Sequence, residues 1–271
     1  MSDQERLAGY VGVWWEAIDD FTRLLESLSP GEWSTPTDLS GWDVHACAAH
    51  TAHLEAVLSG APEETVEFDA GPHIAALAQV YTEQGVIARR DATPDELINE
   101  IRESATKRRT FLLTDPPDDG SEMPPRTPGD IPWNWQTLLR NRPLDVWMHE
   151  QDVRRAVGRP GGLETAPAQH TADYLIEGMA MVLARRAAAE PGSTLVVEVD
   201  GSAPAAFGVS DSGRGGALPE LPADPTVRLT MDRETFVTLA GGRRTPDDVS
   251  VLVAGDEGLA ARILAAMAMT P

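Results

Sequence analysis

Residues 140–160 read RNRPLDVWMHEQDVRRAVGRP, and the spacing inside that run decides how the chain is built. Asp145, His149 and Asp152 fall at i, i+4 and i+7, so a helix places them in one stripe, which Arg142 extends by a turn. Their neighbours Leu144, Val146, Trp147, Met148 and Val153 are apolar. Much of this helix is therefore expected to be buried, and buried ionisable groups need a partner. A carboxylate and an imidazole one turn apart can grip one metal ion, for the reason that two histidines at i and i+4 do so in zinc proteases. A third ligand from another helix would leave one position open, the arrangement of catalytic zinc. The plain alternative is a set of helix ion pairs, Asp145 with Arg142 and Asp152 with Arg154 or Arg155.

Outward from that run, the third ligand is best sought in residues 41–55, GWDVHACAAHTAHLE, which hold three of the six histidines. His50 and His53 lie three apart and share a helix face. His45 is five residues before His50, about 140° around the helix, and is expected at the helix start or facing solvent. Cys47 shares the His50 face and reads as a small buried residue. As the single cysteine it excludes an intrachain disulfide and a zinc site of several thiolates.

The remaining pattern divides the chain in two. Leu7, Val11, Trp14, Ile18, Phe21, Leu25 and Leu28 recur at three- and four-residue steps, which predicts a helix over 4–28. Further helices are expected over 43–59, with Asp43 as N-cap or first-turn acid, and over roughly 73–90. Another runs from Thr93-Pro94 to about 113, and one covers 135–157. Residues 114–134 contain six prolines and two glycines and must be loop. Trp133 and Trp135 at its end either wall a pocket or plug the bundle. The cluster Gly158-Arg159-Pro160-Gly161-Gly162 marks the boundary between a domain over 1–160 and one over 163–271. Beyond it a helix over 167–189 precedes strands at 194–199, 205–209 and 226–231. A helix over 232–240, a strand over 249–253 and a helix over 258–269 follow. That is an α+β pattern after an all-helical half.

Composition narrows the partners. The 271 residues carry a net charge of -21, a surface that repels nucleic-acid phosphates and anionic leaflets alike. No apolar run approaches the ~20 residues that span a bilayer, and no basic segment followed by an apolar one announces secretion. A cytoplasmic protein without nucleic-acid or membrane partners is expected, as monomer or homodimer. Lys107 is the only lysine among 22 basic residues, a bias that fits a GC-rich genome such as an actinobacterial one.

The run Trp33…Pro36-Thr37…Leu39…Gly41-Trp42-Asp43-Val44…His50…His53-Leu54-Glu55 resembles the second-helix signature of the mycothiol-dependent maleylpyruvate isomerase family. Asp145-x-x-x-His149-x-x-Asp152 is similar to that family's later motif, and Leu239-Ala240-Gly241-Gly242-Arg243-Arg244 to its Gly-Arg segment. The resemblance implies an N-terminal DinB-like four-helix bundle followed by a smaller α+β domain like sterol-carrier proteins. It implies His50, Asp145 and His149 as ligands of a divalent metal, zinc foremost, with nickel, iron and manganese compatible with mixed nitrogen and oxygen donors. It implies Asp152 as an acid behind the ligands or in the active site and an arginine near position 243 as an anion-binding group, so that Asp152 and Arg243 are the catalytic candidates; Arg142, Arg244 and His53 are the candidates for binding the thiol or substrate. The chain departs from the pattern at Asp145, where glutamate is usual. The shorter side chain requires the helix to approach the metal more closely or the metal to shift.

A low-molecular-weight thiol is mostly protonated at neutral pH, and a divalent cation stabilises its thiolate. The implied chemistry is cis–trans isomerisation by addition and elimination of mycothiol on a small electrophile. The same machinery serves an S-transferase that leaves the thiol on its substrate. A reading of another class is a non-catalytic small-molecule or lipid-binding protein with a vestigial metal site.

Overall fold

The structure, a computed structural model, describes residues 2–68 and 77–270, in two compact units, Met1–Gly162 and Leu163–Pro271. The first is helical: α1 (Asp3–Glu26), α2 (Val44–Leu58), α3 (Leu77–Ala88), α4 (Pro94–Thr114) and α5 (Trp135–Ala156). Part of the helical region expected from residue 73 lies outside the described residues, and α3 is its described part. Caps set where these helices start. Ser2 and Glu5 form a capping box on α1, and Thr93 and Glu96 form one on α4 with Pro94 in the first turn. Asp43 takes the Ala46 N–H and is the N-cap of α2.

Helices α1, α2, α4 and α5 pack on one another, and α3 packs on α2. The α1 stripe of Leu7, Val11, Trp14, Ile18, Phe21 and Leu25 is buried. Each such side chain contributes about 1.5–3 kcal/mol of apolar burial. Helix α2 is different, because it is buried on every side from Ala46 to Val57. Its alanines let neighbouring helices approach, and its polar residues His50, Thr51, His53 and Glu55 are enclosed with them. A helix in that position carries polar groups only where something satisfies them.

The second unit holds α6 (Ala166–Glu177), α7 (Met179–Met181), α8 (Arg233–Ala240) and α9 (Glu257–Ala265) with a five-stranded sheet. Its strands are β1 (Thr194–Val199), β2 (Ala205–Val209), β3 (Gly215–Ala217), β4 (Val227–Met231) and β5 (Leu252–Gly255), in the order β3-β2-β1-β4-β5. Only β1 and β4 run parallel, with Leu195 opposite Val227 and Val199 opposite Met231.

Three elements differ from the sequence expectation. The helix expected over 167–189 is α6, α7 and a π turn over Val182–Arg186, interrupted at Gly178, a residue that holds helix poorly. Strand β3 is unexpected because glycines weaken a strand and leave no strand pattern to read. A Cβ on Gly215 would sit 2.1 Å from the Ala180 carbonyl oxygen, so only glycine lets this strand pass α7. The last strand starts at Leu252 rather than 249, where pairing with Thr230 of β4 begins. No helix among the described residues is long and apolar enough to cross a membrane.

Candidate metal centre

Helix packing brings the α5 stripe against the centre of α2. His50 Nε2 lies 3.5 Å from Asp145 Oδ1, and His149 Nε2 lies 3.8 Å from the same oxygen. The two imidazole centroids are 4.8 Å apart, and one ligand atom from each of the three residues falls within 4.8 Å of the others. Both histidines are buried, and Asp145 is 21% exposed. These separations are too long for good hydrogen bonds. They are close to the ~3.3–3.6 Å edges of a tetrahedral shell whose metal–ligand arms are ~2.0–2.2 Å. Two nitrogens and one carboxylate oxygen therefore fit a divalent cation.

Electrostatics prepares each donor. Burial pushes the His50 imidazole below its ordinary value despite the nearby Asp145, so the ring is neutral and offers a lone pair. Burial opposes charge on Asp145, but Arg142 with His50 and His149 outweighs it and holds the carboxyl well below the usual range. The Asp145 carboxylate is divided: Oδ2 takes Arg142 Nη1 at 2.8 Å while Oδ1 faces the histidines. The ion-pair and ligand readings of Asp145 thus describe two oxygens of one group. Asp152 is divided as well. Its Oδ1 takes Arg155 Nη2 at 2.6 Å, and its Oδ2 lies 3.3 Å from His149 Nδ1 without hydrogen-bond alignment. A carboxylate on Nδ1 favours the tautomer that leaves Nε2 as the donor atom.

Two features went unassigned in the sequence. Glu55 is completely buried and collects Trp14 Nε1 at 3.0 Å, Arg142 Nη2 at 2.8 Å and Arg108 Nη1 at 3.3 Å. Arg108 also lies over the Trp14 ring, 4.7 Å from its centroid. Burial lowers Arg108 to about 10. The available signal was a glutamate, Glu55, amid apolar and small α2 residues. Trp42, just before α2, lies 5.1 Å from the His50 ring and 5.8 Å from the His149 ring and donates Nε1 to Glu83 on α3. It walls the site on the α3 side.

The other candidates have their own partners. His53 packs on Tyr81, its Nδ1 3.5 Å from Glu64, which Arg89 holds at 2.7 Å. His45 is half-buried at the start of α2, with Nε2 2.9 Å from the Ala92 carbonyl, so it does not face solvent. Trp135 packs against the apolar core of the bundle. Arg243 and Arg244 follow α8 in the second unit; Arg243 is buried and donates to Thr270 Oγ1 at 2.9 Å, and Arg244 donates to the Arg243 carbonyl.

The model of the mycothiol maleylpyruvate isomerase N-terminal domain matches residues 14–154, and that of the MDMPI C-terminal domain matches residues 169–262. Two solved structures share the fold. One is the mycothiol-dependent maleylpyruvate isomerase, with 18% identity and TM-score 0.56; the other is a point mutant of it, with 17% identity and TM-score 0.57. Each match covers 94% of this chain and 96% of the other. No curated protein matches in sequence.

Proposed function

The chain belongs to the mycothiol maleylpyruvate isomerase family, and from that premise we propose that it is a metal-dependent, mycothiol-using isomerase of a small cis-enedioate. The observation that carries the reading is the convergence of His50, Asp145 and His149 from two helices inside a buried bundle. A divalent cation held there supplies the positive charge that keeps a thiol deprotonated at neutral pH.

The chain's own residues prepare that position. Arg142 spans Glu55 and Asp145, so Asp145 stays charged with one oxygen aimed at the histidines. Asp152 brings a carboxylate oxygen to 3.3 Å from the far nitrogen of the His149 ring. Trp42 and the apolar bundle keep water away from the imidazoles, which strengthens every charge interaction among them. The thiolate adds to the electron-poor double bond of the substrate, the resulting single bond rotates, and the thiolate leaves with the trans bond restored. Arg243 and Arg244 are the cations proposed to meet the substrate's carboxylates, and His53 is proposed to border the thiol.

Metal analysis of the purified protein, together with an assay of maleylpyruvate with and without mycothiol, tests this. One equivalent of bound metal and thiol-dependent conversion to the trans isomer are expected, and His149→Ala loses both. A metal-free protein that resists zinc loading overturns the reading. Turnover of an electrophilic dye but not of maleylpyruvate replaces the isomerase with an S-transferase.

A further inference from the structure

The His149 ring has a second donor set on its other edge. Nε2 faces Asp145 and His50, while Nδ1 lies 3.3 Å from Asp152 Oδ2. Cys47, one turn before His50 on α2, completes a group with His149 and Asp152 in which one ligand atom from each lies within 4.8 Å of the others. Cys47 is fully buried and in no disulfide, Asp152 is fully buried, and His149 is 6% exposed. His149 Nδ1 makes no hydrogen bond in this arrangement. Asp152 Oδ1 is held by Arg155, which Asp38 also grips at 2.7 Å, so Oδ2 keeps its direction.

We propose that Cys47, His149 Nδ1 and Asp152 Oδ2 form a second, thiophilic metal site that shares the His149 ring with the first. Thiolate, imidazole and carboxylate are all ligands of zinc, and a thiolate favours soft ions over magnesium or calcium. Binding releases the Cys47 thiol proton to the buffer, because only the thiolate ligates. Filling both sets would require the Nδ1 proton to leave to the buffer as well, so that both ring nitrogens of His149 could serve as donors. The site goes beyond the isomerase reading, and its absence would leave that reading intact.

Cobalt(II) reports the ligands directly. The metal-stripped full chain, kept reduced with a phosphine rather than a thiol, is titrated with cobalt(II) and followed by absorption. Two equivalents are expected, one of them bringing a near-ultraviolet sulfur-to-cobalt charge-transfer band. Cys47→Ser is expected to lose that band and one equivalent while keeping the visible bands of the nitrogen–oxygen site. His50→Ala is expected to keep the sulfur band. No sulfur band at saturation overturns the second site, and so does a sulfur band that arrives with a single total equivalent, since Cys47 would then serve the same ion. Failure of the isomerase reading looks different: the visible bands of the nitrogen–oxygen site are then missing from Cys47→Ser.

Discussion

Arg142 Nη1 holds Asp145 Oδ2 at 2.8 Å, which leaves the other oxygen of that carboxylate to face His50 and His149. The same guanidinium places Nε and Nη2 on Glu55 Oε1, at 3.1 and 2.8 Å. One rigid fork therefore ties two carboxylates on two helices. Lysine keeps the charge but cannot span both. Arg142→Lys is expected to weaken zinc binding about 10–100-fold, the usual cost of losing a group that orients a ligand. Chelator competition measures this, and an unchanged affinity would remove the positioning role.

His53 predicts an acid-sensitive window. Burial, aided by Arg89, pushes its imidazole down to about 4, against about 6.5 in the unfolded chain. The folded-state value is depressed, so the unfolded chain binds the proton first. The neutral ring's contribution to stability is full above pH 6.5 and is lost as pH falls toward 4. The loss is on the order of 3 kcal/mol. Urea unfolding of wild type and His53→Gln between pH 7 and 4 checks this: the variant's stability should fall less. Parallel slopes would reject the assignment.

Gly85 on α3 is the other half of the His53 packing. A Cβ there would lie 2.2 Å from His53 Cγ. Glycine to alanine in a helix ordinarily stabilises by roughly 0.5–1 kcal/mol. Here Gly85→Ala is expected to destabilise by about 1–3 kcal/mol, since the imidazole must move in a packed interior. Adding His53→Ala should recover part of that loss. A double-mutant cycle with a coupling below about 0.5 kcal/mol would show that the two positions do not meet.

How far the sequence could be read follows from these residues. The stripe Asp145, His149, Asp152 was legible because helix period is a local property, and the meeting of His50 with it because few histidines lie on other helices. The helices of the first unit were legible for the same reason, with Asp43 and Thr93 marking two of their starts. Glu55 and Arg108 were not assigned, because their pairing joins residues 53 apart and depends on which helices meet. Trp42 was visible only as part of a motif, since its position over two imidazoles is tertiary. Strand β3 was hidden because what selects Gly215 is the backbone of α7.

Glu55 gives the sharpest test of the buried network. It is the shared acceptor of Arg108, Arg142 and Trp14, and it has no exposed surface. Glu55→Gln removes one negative charge and leaves Arg108 and Arg142 with Asp145 alone to offset them. Breaking a buried ion pair from one side costs about 3–5 kcal/mol, because the remaining charge stays desolvated. Arg108 is the more weakly held of the two cations, with its Nη2 unpartnered and its guanidinium resting on Trp14. Arg108→Met in the Glu55→Gln background is therefore expected to restore much of the loss, whereas Arg142→Met in that background should also weaken metal binding by freeing Asp145. Denaturant midpoints at constant slope, read beside metal affinity, separate the two effects. A Glu55→Gln protein as stable as wild type would mean that water, rather than Glu55, solvates the arginines.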